Sequence, residues 1–111
     1  MKNENSYAQI KQIARLKNIL EVKRNLNLEK DICSKFFLTY DYCLNSLKKK
    51  FRELLLNSYF ELDYKFWWAD TYSQSAYYRA RAKAVISFVN LFNLIYENFP
   101  YFSRFIIRNH N

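Results

Sequence analysis

Apolar residues recur at helical spacing through almost the whole chain, and the most regular run lies late in it. Tyr77, Ala80, Ala84, Val85, Phe88, Leu91, Phe92 and Ile95 fall on one stripe of 3.6-residue period. This stripe predicts the core face of a long helix over residues 74–98. Arg79, Ala82, Lys83, Ile86, Asn90 and Asn93 take the opposite side, with Tyr78 at the border. Arg81 falls inside the apolar stripe, from which its aliphatic stem would let it snorkel to the edge. Ser73 is the expected N-cap, its hydroxyl accepting from the backbone N–H of Ser75 or Ala76, and Tyr72 and Tyr77 stand where a hydrophobic staple would lie.

Earlier segments supply surfaces for that helix to pack on. A first helix over residues 6–24, capped by Ser6, has Ile10, Ile13, Leu16, Ile19 and Leu20 on its inner face and Lys11, Arg15, Lys17, Lys23 and Arg24 outside. Asn25 and Asn27 suit its end. From Leu28 the stripe Ile32, Phe36, Tyr40, Cys43, Leu47 predicts a second helix that breaks near Asp41, Asn45 and Ser46. Ser46 is then the expected cap of a third, whose inner face is Leu47, Phe51, Leu54, Leu55 and Tyr59. A short helix over residues 64–69 carries Phe66, Trp67 and Trp68. Adjacent tryptophans cannot share one buried face, so one of them is expected to stay partly exposed. Asp70, Thr71 and Tyr72 make the turn into the long helix, and Pro100 ends it, since proline disfavours helical geometry at Phe99. In the tail, Phe102, Phe105 and Ile106 would pack back on the bundle as a last helix. The expected fold is all-α: one domain over residues 1–111, a compact bundle of five or six helices. It divides into N-terminal helices (1–43), a helix-turn-helix part (44–98) and a tail helix (99–111).

Composition supports this and narrows the chemistry. The 111 residues include no glycine and one proline, so hairpin turns that need positive φ are scarce. Aromatic residues are 20% of the chain, enough that some should remain as contact surface. The net charge of +8 favours a polyanionic partner, nucleic acid or an anionic membrane. The charge sits at the two ends: five Lys and Arg against one acid in residues 74–111, seven against three in residues 1–30, and six against six between. The first helix lacks the Trp and Phe face of a membrane-surface helix, which turns the reading away from membranes. Cys33 and Cys43 have no metal-ligand spacing and read as buried thiols. No segment resembles a signal peptide or a membrane span, which points to the cytoplasm. Catalysis is not expected. His110 is the only histidine, a phosphate-cradling glycine loop is impossible without glycine, and Glu61 and Asp63 lie at a helix end. Neither cofactor nor metal is called for.

Small and basic residues at the front of a core-anchored helix suit insertion into a DNA major groove. Here the residues resemble a family. Ser73, Ala76, Tyr77, Lys83, Ala84 and Phe88 stand as in the recognition helix of region four of bacterial sigma factors. The run from Tyr72 to Phe88 is closer still to phage transcription regulators of the RinA and ArpU type. It is also similar to small mycoplasma proteins with a Trp-Trp and Tyr-Ser-x-Ser signature. Upstream, Leu44, Leu47, Arg52, Glu53, Leu55, Tyr59 and Glu61 resemble the helix that precedes the sigma motif. The likeness spans residues 44–92 and departs from the family at Asp70 and Thr71, where glycine is usual, in the segment between Arg52 and Ser73, which is shorter than usual, and at Arg81, where an apolar residue is usual.

The resemblance implies a DNA-binding transcription regulator. Gln74, Ser75, Tyr78, Arg79 and Ala82 would face double-stranded DNA, with Lys83 near a phosphate. Lys11, Arg15 and Lys17 on the first helix, and Lys48, Lys49 and Lys50 at the front of the third, are candidate phosphate contacts. The alternative is a helical protein-interaction module, for example an RNA polymerase-associated factor, that does not read DNA sequence.

Overall fold

The computed structural model describes residues 3–61 and 67–96. Within them all regular structure is helical, with α1 (Asn3–Asn25), α2 (Lys30–Asn45), α3 (Lys49–Leu55) and α4 (Gln74–Tyr96), and a π-helical turn (Leu56–Phe60) that continues α3. The sequence predicts five or six helices; four lie among the described residues. The expected short helix over residues 64–69 falls partly outside them, and its described end is a turn at residues 67–71. That turn is closed by Thr71 and Tyr72 N–H donating to the Trp68 carbonyl at 3.0 and 2.9 Å. The tail helix over residues 99–111 lies outside the described residues.

Without glycine, the α1–α2 link is made by other means. Asn27 takes the left-handed conformation (φ 60°), asparagine being among the residues that visit it most readily. The Leu28 N–H bonds the Lys23 carbonyl at 2.8 Å and the Asn27 N–H bonds that of Arg24 at 3.0 Å, the paired bonds of a Schellman motif. Glu29 follows with φ 47°, an unfavourable angle for a residue with a Cβ, and its carboxylate is held by Lys23 at 3.0 Å. At the α2–α3 link, Ser46 is the C-cap of α2 and not the N-cap of α3; Lys48 holds the latter position. Arg52 reaches back from α3 to donate to the Leu44 and Leu47 carbonyls, both at 3.3 Å. A cation thus stands at the negative end of the α2 dipole.

α4 packs on α1, α2 and α3. Phe88 and Phe92 are fully buried, and Phe88 meets Tyr40 of α2 and Phe60 of the π turn at ring separations of 6.3 and 5.3 Å. Ile10, Ile13, Leu16 and Leu20 of α1 complete the cluster with Phe36 and Cys43 of α2. Val89, which the predicted stripe omits, is buried as well. Tyr77 is buried outside this cluster, among the rings of Trp67, Trp68, Tyr72 and Tyr78. Trp67 and Trp68 are both half-buried there.

Three α1 assignments change. Ser6 does not cap the helix, which begins at Asn3; it lies inside α1 and is buried. Ile19 is exposed, and Lys17, expected on the outer face, is 9% exposed. Its ammonium donates to the Phe60 carbonyl at 3.3 Å and lies 3.6 Å from the Glu21 carboxylate. Lys17 therefore serves the last carbonyl of the π turn and is withdrawn from the candidate phosphate contacts. The wider π turn itself, closed by the Glu61 N–H on the Leu56 carbonyl, adds a residue to the helical phase. It brings Phe60 inward and leaves Tyr59 at the edge.

Burial has a consequence at alkaline pH. It pushes the Cys43 thiol up to about 12 from 9.0, and the Tyr59 hydroxyl up to about 12 from 10.0, the latter partly countered by Arg81. Both folded-state values exceed the unfolded ones, so the associated stability is fully present below about pH 9 and is lost as pH rises towards about 12. The urea midpoint should accordingly hold level around neutrality and fall through that window. A level midpoint throughout would show both groups to be solvated in the folded chain.

Candidate nucleic-acid interface

The front of α4 forms as its sequence dictates. The Ser73 hydroxyl accepts from the Ala76 N–H at 3.2 Å, and the Tyr72 and Tyr77 rings meet at 6.3 Å, completing cap and staple. Behind them Trp68 stacks on Tyr77 at 4.6 Å and 10°, while Trp67 meets it edge-on at 6.0 Å. This aromatic block fixes the helix start against the turn, so the outward residues of the first three turns have a defined direction.

Gln74, Ser75, Tyr78, Arg79 and Lys83 are exposed, and Ala82 is half-buried. Arg79 and Lys83, one turn apart, share a shallow cleft of about 700 Å³ with Lys50, Glu53 and Tyr72. Lys50 lies 5.7 Å from the centre of the Tyr72 ring. Burial and Glu53 both raise the pKa of the Tyr72 hydroxyl, which keeps it protonated as a donor. Three cations and one carboxylate therefore meet where α3 and α4 diverge. None of the three enters an ion pair with another described residue. Gln74, Ser75, Tyr78 and Ala82 are not part of this cleft. Tyr78 instead leans on Trp68 and on Arg81, 6.3 and 4.9 Å away. Lys48 and Lys49 are exposed at the front of α3.

Arg81 is half-buried and reaches the edge of the apolar stripe, where it lines an open cleft among tyrosine rings. Its guanidinium carbon lies 4.9 to 5.8 Å from the ring centres of Tyr7, Tyr59, Tyr77 and Tyr78, and its Nε is buried. Lys11 and Arg15 line a second cleft with Arg81, separate from the one at Arg79. Asn93, expected on the outer side of α4, faces α1 and donates to the Gln9 side chain at 2.9 Å. The tyrosine setting of Arg81 escaped sequence reading, although an arginine inside an apolar stripe was its visible sign. Lys50 had a sign too, as a cation at a helix start. Its meeting with Arg79 depended on how α3 crosses α4.

No group of His, Cys, Asp and Glu among the described residues has the arrangement to hold a metal ion, and no described helix is long and apolar enough to cross a membrane. Comparison with protein-family models, with curated proteins and with solved structures found no match.

Proposed function

We propose that the protein binds double-stranded DNA in the cytoplasm as a transcription regulator, with α3 and α4 acting as a sigma region-four-like helix-turn-helix and the front of α4 as the recognition helix. The observation that carries this reading is the pair Arg79 and Lys83, exposed one turn apart on a helix whose opposite face is anchored in the core. An exposed arginine that makes no ion pair among the described residues has its planar fork available for a guanine edge or a phosphate. Lys50, across the cleft from Lys83, then suits the neighbouring phosphate backbone. Gln74, Ser75 and Tyr78 add adaptable donors and acceptors at the tip, and half-buried Ala82 offers an apolar contact.

A protein partner such as RNA polymerase is the second reading, favoured by the partly exposed aromatic block beside the same helix. Selection of bound fragments from random duplex DNA separates the two. DNA binding requires an enriched sequence and an affinity that falls steeply with salt, through displaced counterions. If no duplex is retained even at low salt, the protein-partner reading takes its place.

A further inference from the structure

Lys11, Arg15 and Arg81 line one open cleft of about 810 Å³ between α1, the π turn and the front of α4, and no carboxylate lines it. None of the ion pairs among the described residues involves these three cations. Such a concentration of one sign of charge raises the local potential for anions. Lys11 and Arg15 stand on successive turns of the outer side of α1 and are exposed, whereas Arg81 is held in place. Two of its rings, Tyr77 and Tyr78, come from its own helix, one, Tyr7, from α1, and one, Tyr59, from the π turn. A guanidinium fixed by rings from three elements has little side-chain freedom left to lose on binding a ligand.

The chemistry of the lining suits a multiply charged oxyanion better than a carboxylate. A terminal phosphate group carries close to two negative charges and three strong acceptor oxygens, and a nucleic-acid backbone offers one charge and two free oxygens at each of its successive phosphates, so either can meet several cations at once. Tyr7 and Tyr59 line the same cleft. Burial raises the Tyr59 pKa to about 12, so its hydroxyl stays a donor at neutral pH. The π turn is what puts Tyr59 at this edge, and insertions of this kind recur at functional sites.

We propose that the cleft between α1, the π turn and α4 is a phosphate-binding site in which Arg81, fixed by its four tyrosines, holds the phosphate while Lys11 and Arg15 close on it from α1. The phosphate belongs either to a free phosphorylated molecule or to a nucleic-acid backbone. This site is distinct from the Arg79 face and does not depend on it.

The buried Arg81 Nε–H is the reporter, followed by nitrogen-15 NMR of the full chain during titration with inorganic phosphate at constant ionic strength. A saturable shift is expected, with sodium chloride giving none. The Lys11→Gln, Arg15→Gln double variant changes only exposed side chains and should fold normally. It should bind phosphate about tenfold or more weakly, each lost charge-assisted contact being worth a factor of that order. Repeating the titration with a short DNA duplex on the Arg79→Ala, Lys83→Ala protein distinguishes the sources. A shift there assigns the site to a nucleic-acid backbone, and a shift with phosphate alone assigns it to a free phosphorylated molecule. Equal responses to phosphate and chloride, or an unchanged phosphate affinity in the double variant, overturn the proposal.

Discussion

Phe88→Ala is expected to lower the unfolding free energy by about 3 to 5 kcal/mol, the usual effect of truncating a large ring in a packed core. The side chain is fully buried, and its ring lies among Tyr40 of α2, Phe60 of the π turn and Phe92 of its own helix. Removing it leaves a cavity where α2, the π turn and α4 meet. Helices carrying so many aromatic neighbours cannot collapse into that space without moving apart elsewhere. Urea unfolding followed by circular dichroism reads the loss directly. Leu94→Ala is the matched control: Leu94 is 60% exposed on the same helix, and the substitution should change stability by no more than about 0.5 kcal/mol. A loss below about 1 kcal/mol for Phe88→Ala would show that α4 does not anchor the bundle through this face.

Arg79→Ala should leave folding nearly intact and weaken duplex binding by about 1 to 3 kcal/mol. Arg79 is exposed on the solvent side of α4, and alanine is the better helix former. If Arg79 reads a base, the preference at one position of the selected sequence should relax. If it holds a phosphate, affinity should fall uniformly over all sequences and the salt slope should drop by about one. Quantitative gel shifts over a salt series separate the cases. A well-folded Arg79→Ala protein with unchanged affinity for every duplex would remove the recognition-helix assignment. The equivalent experiment on α1 must avoid Lys17, because reversing a buried charge that serves the Phe60 carbonyl would damage the fold before it tested any contact.

Much of the helical architecture was legible from spacing. Ser73, Tyr72 and Tyr77 specified the start of α4 through strictly local contacts, and Tyr77, Ala84, Val85, Phe88 and Phe92 specified its buried face. Lys17 and Ile19 take the sides of α1 opposite to those their residue types suggest. Lys17 follows Ile10 by seven residues and Ile13 by four, and precedes Leu20 by three, so helical geometry puts it on the inner face despite its charge. Ser6 is not a cap for a related reason: a hydroxyl residue suits a cap only where the chain enters the helix, and α1 begins earlier.

Local pattern thus determined that the described chain is helical, how α4 is capped, and which stripe of α4 turns inward, because helix spacing and capping act over only a few residues. The π turn, the ammonium of Lys17 on the Phe60 carbonyl, the four tyrosines around Arg81 and the separation of Lys11 and Arg15 from Arg79 were decided only when the helices packed. Each of these depends on groups distant in sequence, and a helical repeat records the phase of one helix without recording which neighbour approaches it, or at what height. For the same reason the basic residues could be counted from the sequence, but their division between two clefts came from the crossing of α1, α3 and α4.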